Sequence, residues 1–281
     1  METKKGNITF LIFTYNDGYR LEAAIRNLRP YGEVIISDQE STDNCKEITE
    51  RLGAKFISRK ATGKPFIETQ ELLDSMTAAA SNDWLFWSNV DYLMPKSLLL
   101  KLVEVSHQDK YKIVYVPIYT YLWGDTKNIY VKAAYPSFFH KGYMDMRNNR
   151  IHNLGKFTGQ PKQALHLAKK AEYAMRHFSL YDLNKFIPSH TRYVMTEAQQ
   201  NFDAGRRITY KRLFGSMGYY FYLFYGGIRS GMRGILVGLL YAFFKLLVAV
   251  RMFELEHNLN LETIEAEYAK EKWRLVEEAE S

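Results

Sequence analysis

The chain has 281 residues, which is enough to bury a large core and to form one or two domains. Its hydrophobic content (47%) and charged content (25%) are typical of a globular protein, and its single cysteine, Cys45, excludes an internal disulfide framework. The net charge of +7 is unevenly spread: residues 206–251 contain eight Lys or Arg and no acid, whereas residues 252–281 contain nine Glu and three Lys or Arg.

The first predicted elements alternate between strands and helices. Residues 8–13 form a continuous apolar run that predicts a buried strand, and the turn residues Asn, Asp and Gly follow it. Apolar residues at helical spacing then predict a helix that ends before Pro30. Residues 33–37 predict a second strand ending at Asp38, and Ser41 is predicted to cap the next helix.

The same alternation continues beyond Gly53. Strands are predicted at 55–59, 83–88 and 112–119, with a helix at about 66–80. This order is typical of an α/β fold with a mostly parallel sheet flanked by helices. Residues 120–165 show no long periodic run, so we expect an irregular functional segment there.

Polar residues follow three of the predicted strands. Ligands of open α/β sheets bind beyond the carboxyl ends of the strands, so these residues are expected to converge on one crevice. They are Thr14, Tyr15 and Asn16 after the first strand, Asp38 after the second, and Asn89 and Asp91 after the fourth.

Several motifs resemble family 2 glycosyltransferases with the Rossmann-like GT-A fold. The stretch "ITFLIFTYNDGYRLEAAIRNL" is followed by "EVIISDQESTDNC", and "DWLFWSNVD" stands where that family has its metal-binding Asp-x-Asp. The later stretches "IHNLG", "RHFS" and "GGIRSGMRGILVGLLYAFFKLL" resemble the branch that builds lipopolysaccharide core and lipid-linked glycans. The resemblance covers roughly residues 1–257 and implies transfer of a sugar from a nucleotide-sugar, with inversion.

The resemblance implies a divalent metal, Mn²⁺ or Mg²⁺, that neutralises the donor diphosphate. Asp91 would bind the metal, while Asn89 departs from the first Asp of the motif and offers an uncharged amide oxygen. His177, in "MRHFSL", matches a histidine that completes the metal site in many such enzymes; His166 and His190 are weaker alternatives.

The donor nucleotide, with UDP favoured by the resemblance, would contact the strand-end residues. Asp38 would accept hydrogen bonds from the base or ribose, and Thr14, Tyr15 and Asn16 would shape the same pocket. Lys64 is a candidate for contact with a phosphate.

An inverting transfer to a hydroxyl needs a general base. The related pattern has a Glu where this chain has Asn153, so Asp145 and His152 are the candidate bases. An acceptor that is already a phosphate anion, such as a polyprenyl phosphate, would need none.

The basic, aromatic region 206–257 predicts helices that lie at a membrane interface and attract anionic lipid. Residues 234–250 could also form a marginal membrane span, and a buried helical subdomain is the third possibility. Residues 258–281 predict an acidic helix that caps the protein or joins copies into a homo-oligomer.

These expectations divide the chain into a catalytic domain (1–205), a membrane-associating region (206–257) and a C-terminal helix (258–281). The segment before residue 14 does not resemble a secretory signal, so a cytoplasmic protein on the inner face of the membrane is expected, with a lipid-linked or glycan acceptor and no nucleic acid partner. The alternatives are a degenerate, non-catalytic relative that binds lipid or nucleotide and, less favoured, a nucleotidyltransferase.

Overall fold

A computed structural model describes residues 5–60, 67–151, 153–179 and 182–281. The chain divides into two compact units, Met1–Phe186 and Ile187–Ser281. The division falls within one long helix, and the functional boundary at residue 205 stays a prediction.

The first unit contains the strands of the protein. They are β1 (Ile8–Thr14), β2 (Glu33–Asp38), β3 (Lys55–Ser58), β4 (Trp84–Asn89), β5 (Tyr92–Leu93), β6 (Ile113–Leu122), β7 (Val131–His140), β8 (Met144–Asp145), β9 (Lys156–Phe157), β10 (Ala164–His166) and β11 (Met175–Ser179).

The α-helices are distributed over both units. They are α1 (Gly18–Leu28), α2 (Cys45–Arg51), α3 (Gln70–Ala79), α4 (Lys96–Ser106), α5 (Leu183–Asp203), α6 (Tyr210–Phe224), α7 (Gly231–Glu256) and α8 (Leu261–Glu280). Short 3-10 helices lie at Pro161–Gln163, Ala171–Tyr173 and Ile228–Ser230.

The main sheet is mixed and has the strand order β3-β2-β1-β4-β7-β6-β11-β5, with β10 also paired to β6. Strands β1 to β4 run parallel to one another, whereas β7 is antiparallel to both of its neighbours. A separate pair, β8 and β9, completes the first unit. The predicted α/β fold with flanking helices and a helical C-terminal region is confirmed.

The core consists of one apolar layer on each face of this sheet. Side chains of a strand point alternately to the two faces, and β1 follows this rule: Phe10 and Ile12 pack in the layer formed by α1, α2 and α4, while Leu11 and Phe13 pack in the layer formed by α3. Both sets are buried, which explains why β1 reads as a continuous apolar run rather than an alternating one.

The expectation of irregular structure at 120–165 is wrong for its first part. Strand β7 crosses the centre of the sheet there, between β4 and β6. The sequence conceals this strand because it contains Pro136, which has no N–H to donate to a sheet. The pairing register shifts at this point, so that Val114 faces Phe138 but Val116 faces Tyr135, and the irregularity accommodates the proline.

Ser41 does not cap α2 as predicted, because the helix begins at Cys45 with Asn44 in the capping position. The Ser41 hydroxyl instead donates to Asp38 Oδ1 over 2.6 Å, and its backbone N–H donates to Asp38 Oδ2 over 2.8 Å. Asp38 therefore binds Ser41 within the turn after β2, and these hydrogen bonds replace the predicted capping of α2 by Ser41.

The second unit is helical, and a hairpin of α6 and α7 forms much of it. Two glycines of α7 allow close packing: a Cβ on Gly234 would lie 2.2 Å from the Tyr225 carbonyl oxygen, and one on Gly238 would lie 2.9 Å from the Phe221 ring. Lys245 is buried and forms an ion pair of 2.5 Å with Glu197 of α5.

Candidate functional site

The polar strand ends identified from the sequence lie side by side in the sheet. Thr14, the last residue of β1, is paired with Asp38 of β2, and Phe13 is paired with Asn89 of β4. Because β1, β2 and β4 run in the same direction, their carboxyl ends form one edge. The expectation that these strand ends lie together at one edge of the sheet is therefore confirmed.

Hydrogen bonds join the loops after β1 and β2. Thr14 Oγ1 donates to Asp38 Oδ1 over 3.3 Å. The Asn16 backbone N–H donates to Ser41 Oγ over 2.7 Å, and Asn16 Oδ1 accepts from the Thr42 N–H over 2.9 Å. Asp38 is 1% exposed, and both of its oxygens accept internal hydrogen bonds. It therefore supports the loops after β1 and β2 from the interior of the protein. Tyr15 is exposed beside them.

Asp91 follows β4 and meets His177 of β11. Asp91 Oδ2 lies 3.4 Å from His177 Nε2 and 3.5 Å from Arg20 Nη1. The other oxygen, Oδ1, is buried and has no hydrogen-bond partner among the described residues. A buried carboxylate oxygen without a partner is costly, and a ligand that fills this position would recover that cost.

Strand pairing determines the position of His177. It faces Tyr92 across the β5–β11 pair and Thr120 across the β6–β11 pair. Its Nδ1 lies 3.2 Å from Thr120 Oγ1. When Nδ1 carries the proton and donates it to this hydroxyl, the lone pair of Nε2 is directed to the Asp91 side, as a metal-binding imidazole requires.

Asp91 is ionised although it is largely enclosed. Burial raises the pKa of Asp91, but the charge and hydrogen bond of His177 in its protonated form, together with the charge of Arg20, outweigh burial and bring the pKa below its usual range. Asp17 holds the guanidinium of Arg20 by two hydrogen bonds of 2.8 and 3.1 Å and also pairs with Lys185 at 2.7 Å. Arg20 is therefore a cation held in a fixed position near the Asp91 carboxylate.

This donor set is smaller than a complete metal site. In the described ranges, no group of three or more His, Cys, Asp or Glu side chains could hold a metal ion. Asp91 and His177 nevertheless provide a carboxylate with a free buried oxygen and an oriented imidazole, which fit a divalent cation that takes further ligands from a diphosphate and water.

A second polar region lies at the amino end of α3. Its cavity of about 450 Å³ is lined by Glu68, Thr69, Gln70, Met146, Arg147, Asn148 and Asn149. Burial raises the pKa of the half-buried Glu68 to about 7. Asp145, the candidate base next to this cavity, is bound by Arg147, whose hydrogen bonds lower the pKa of Asp145 to about 2. A carboxylate held in this way is a weak proton acceptor.

The structure adds Arg20 and Glu68 to the residues expected from the sequence. Arg20 lies within the motif stretch that begins at Ile8 but had no role assigned to it, and both residues acquire their environment from contacts distant in sequence. Lys64 and His152 lie outside the described residues. His166 stacks on Tyr115 with ring centres 4.2 Å apart, and His190 packs on Phe244 in the second unit.

Two solved structures are among those with a partial likeness to this chain. The glucosyl-3-phosphoglycerate synthase of Mycobacterium tuberculosis, in complex with Mn²⁺, UDP and glucosyl-3-phosphoglycerate, is 20% identical over 43% of this chain and 45% of that one, with a TM-score of 0.30. A mannosyltransferase from Pyrobaculum calidifontis, in complex with GDP-Man and Mn²⁺, is 11% identical over 98% of this chain and 82% of that one, with a TM-score of 0.45.

Curated relatives come from Rickettsia. An uncharacterized glycosyltransferase of Rickettsia felis is 32% identical over 108 residues, or 37% of this chain and 36% of the relative. Another from Rickettsia bellii is 31% identical over 133 residues, or 44% of this chain and 42% of the relative. The match thus spans about two fifths of the length of each relative.

The family model described as glycosyl transferase family 2 matches residues 9–167, a range that runs from β1 through β10 and includes Asp38 and Asp91. This range is more than half of the chain. The chain therefore belongs to glycosyl transferase family 2, as its motifs predicted.

Proposed function

We propose that this chain transfers a sugar from a nucleotide-sugar, with UDP as the nucleotide, to a lipid-linked or cell-surface glycan at the membrane, with inversion at the anomeric carbon. Family membership supports the reaction class, and the motif resemblance supports the finer assignment to the branch that builds lipopolysaccharide core and lipid-linked glycans.

The observation that carries this proposal is the position of Asp91 at the sheet edge, with His177 at 3.4 Å and one buried oxygen without a partner. Asp91 and His177 would hold Mn²⁺ or Mg²⁺, and Asn89 would offer its amide oxygen at the same edge. A bound divalent cation neutralises the diphosphate and stabilises it as a leaving group.

The loops after β1 and β2 would hold the nucleotide. Thr14, Tyr15 and Asn16 line the edge beside the buried Asp38, and their hydrogen bonds keep the loops in one arrangement before the donor arrives. Lys64 would contact a phosphate. Arg20 and Lys185 add fixed positive charge on the side of Asp17, which favours a diphosphate dianion.

The second unit would bind the membrane surface. One helix among the described residues, Ile228–Glu256, is long and apolar enough to cross a bilayer, but half of its most apolar window is buried against the protein. Its buried Lys245 also favours a helix that lies on the membrane over one that spans it. Exposed apolar residues remain available for this contact: Phe214, Tyr222, Ile228, Met232, Leu236, Leu239 and Phe243.

The proposed location follows from this surface: a cytoplasmic protein bound peripherally to the inner face of the cell membrane, through anionic lipid. The membrane-associating region would be residues 206–257, attached to a catalytic domain of residues 1–205. Helix α8 has no buried residue and would serve as the contact between copies in a homo-oligomer.

A donor screen tests the proposal. The protein is incubated with UDP-, GDP- and CMP-sugars, Mn²⁺ and a bacterial lipid extract, and nucleotide release and labelled lipid are measured. We expect UDP release that EDTA abolishes and that Asp91→Asn lowers by about 100-fold or more, because the metal loses its charged ligand. Turnover that neither change affects would contradict the proposed site.

A degenerate transferase-like protein that binds lipid or nucleotide without catalysis is the second candidate. The replacement of two expected carboxylates by Asn89 and Asn153 favours it. The same screen separates the candidates, because this protein would bind UDP but release none from any donor. Release of pyrophosphate would instead indicate a nucleotidyltransferase.

A further inference from the structure

The cavity at the amino end of α3 has no assigned role, although it lies in the same unit as the metal-site residues. Glu68 immediately precedes Thr69, which caps α3 by accepting a hydrogen bond from the Leu72 N–H over 3.2 Å. The opposite wall is the segment 146–149, which follows β8. The cavity volume of about 450 Å³ is sufficient for a sugar ring.

Specific hydrogen bonds fix the two walls relative to each other. The Met146 backbone N–H donates to Gln70 Oε1 over 2.8 Å, and Asn149 Nδ2 donates to the Glu68 carbonyl oxygen over 3.0 Å. Asn149 Oδ1 also accepts from the Gly155 N–H over 3.2 Å. The cavity is therefore a built feature in which Glu68 has a defined backbone position.

The lining is suited to a ligand with hydroxyl groups. The side-chain amide of Asn148 provides a donor and an acceptor, and Glu68 provides a carboxyl group, whereas Asn149 already donates to the carbonyl oxygens of Glu68 and Asn153. The positive charge of Arg147 is already bound by Asp145, in a pair with two parallel hydrogen bonds. Among these lining residues, the one cation is therefore already neutralised and is not available to bind an anion. This favours a neutral polyol over a phosphate as the ligand.

Glu68 also lies toward the same edge of the sheet as the metal-site residues. The end of α3 meets the start of β3, where Lys55 Nζ donates to the Ala79 carbonyl oxygen over 2.8 Å. Because β3 runs parallel to β2, β1 and β4, the amino end of α3 is directed to the carboxyl edge, where Asp91 follows β4. Burial gives Glu68 a pKa of about 7, so that it can exist as a carboxylate and still bind a proton at neutral pH. Among these lining residues Arg147 is the other charged side chain, and Asp145 holds it.

From this geometry we infer that the cavity is the acceptor subsite, that the acceptor nucleophile is a hydroxyl group, and that Glu68 is the general base. The inference rests on the proposed function. The Glu68 carboxylate takes the proton as the acceptor oxygen forms its bond to the anomeric carbon. The bond from that carbon to the diphosphate breaks, and the diphosphate leaves with the electron pair.

This assignment replaces the carboxylate that the chain lacks at Asn153 with one from a different part of the sequence. It is preferred over Asp145 because Arg147 occupies the oxygens of that carboxylate. It also excludes a phosphate acceptor, which would need no base.

The test compares Glu68→Gln with Asp145→Asn and with Glu71→Gln, an exposed acid three positions along the same segment. UDP binding with Mn²⁺ is measured by calorimetry, and UDP release from the best donor is measured with the lipid extract and with water as acceptors. We expect Glu68→Gln to bind UDP like the wild type but to lose about 10²–10⁴-fold in turnover. Glu71→Gln should stay within threefold of the wild type, and Asp145→Asn should lose less turnover than Glu68→Gln.

Turnover of Glu68→Gln within threefold of the wild type, with UDP binding retained, would overturn the assignment. A wild type that does not bind UDP would instead contradict the proposed function itself. A separate measurement does not depend on the donor: the ¹³C carboxyl signal of Glu68, identified by its loss in Glu68→Gln, should titrate with a midpoint near pH 7. A midpoint below pH 5 would also overturn it.

Discussion

At the scale of single residues, the site depends on how the two oxygens of Asp91 are used. Oδ2 faces His177 and Arg20, whereas Oδ1 is buried without a partner. Leaving a buried polar atom without a hydrogen bond costs about 1–3 kcal/mol, more if it is charged. The fold retains this cost at the edge of the sheet, where a bound cation would offset it.

Replacing His177 by Ala should weaken Mn²⁺-dependent UDP binding by about 10- to 100-fold, because the metal loses its imidazole. Calorimetry of UDP with saturating Mn²⁺ measures this effect. The matched control is His166→Ala, since His166 only stacks on Tyr115. Equal loss in both variants would show that His177 has no special role.

Glu68 also predicts a pH dependence of stability. Its pKa in the folded protein, about 7, lies above its ordinary value of 4.5, so the folded state binds more protons between these values. The stability from the protonated carboxyl is full below about pH 4.5 and is lost as the pH rises through 7. The free energy of unfolding of Glu68→Gln should therefore rise by about 1–3 kcal/mol relative to that of the wild type when the pH is raised from 4.5 to 8.

Urea unfolding at the two pH values measures this difference. The exposed Glu71→Gln should run parallel to the wild type at both. If the difference in unfolding free energy between Glu68→Gln and the wild type is the same at both pH values, the pKa of Glu68 is not raised.

At the scale of elements, the continuous apolar runs of β1, β2 and β4 could be predicted from sequence because both faces of these strands are covered. Strand β7 could not, because a proline at its bulge removes the local signal and only its neighbours β4 and β6 specify it. Tertiary pairing overrides local propensity there.

The residues of the candidate site also divide into those that could be predicted from the sequence and those that could not. Asp91, Asp38 and Asn16 could be found because each directly follows an apolar run. Arg20 and Glu68 could not, since Arg20 reaches Asp91 across 71 residues of sequence and Glu68 owes its pKa to burial. Side-chain environments of this kind exist only once the chain has folded.

The α6–α7 hairpin gives a test at this scale. Gly234→Ala should destabilise the second unit by about 1–3 kcal/mol, because the new Cβ would lie 2.2 Å from the Tyr225 carbonyl oxygen. Gly215→Ala on α6 has no atom within 4 Å of its new Cβ and should stabilise the helix by about 0.5–1 kcal/mol. Thermal unfolding followed by circular dichroism compares them, and equal melting temperatures would contradict the packing.

At the scale of the whole molecule, charge and apolar exposure vary along the chain. Residues 206–251 are basic and carry many exposed apolar side chains, whereas α8 is acidic. This pattern suits a protein that meets anionic lipid with one region and water with the next. It follows that membrane binding should depend on salt and on residues of α6 and α7.

Ile228 is 88% exposed at the start of the apolar helix, so Ile228→Glu should weaken binding to anionic phospholipid vesicles by about 10-fold or more. Vesicle sedimentation at low and high salt measures this change. The control is Trp273→Glu on α8, which removes a large exposed apolar side chain from the acidic helix and should have no effect. If Trp273→Glu abolished vesicle binding and Ile228→Glu did not, the membrane-binding surface would lie on α8 and not on the apolar helix, which would contradict the proposal.

We expect Asp91 to anchor a metal and a nucleotide at the edge of the sheet. The most direct test is calorimetry of UDP binding with and without Mn²⁺ for the wild type, Asp91→Ala and Asp83→Ala, the last removing a carboxylate just before the opposite end of β4. We predict binding that requires Mn²⁺, is lost in Asp91→Ala and is retained in Asp83→Ala. No binding by the folded wild type, or equal binding by Asp91→Ala, would contradict the claim.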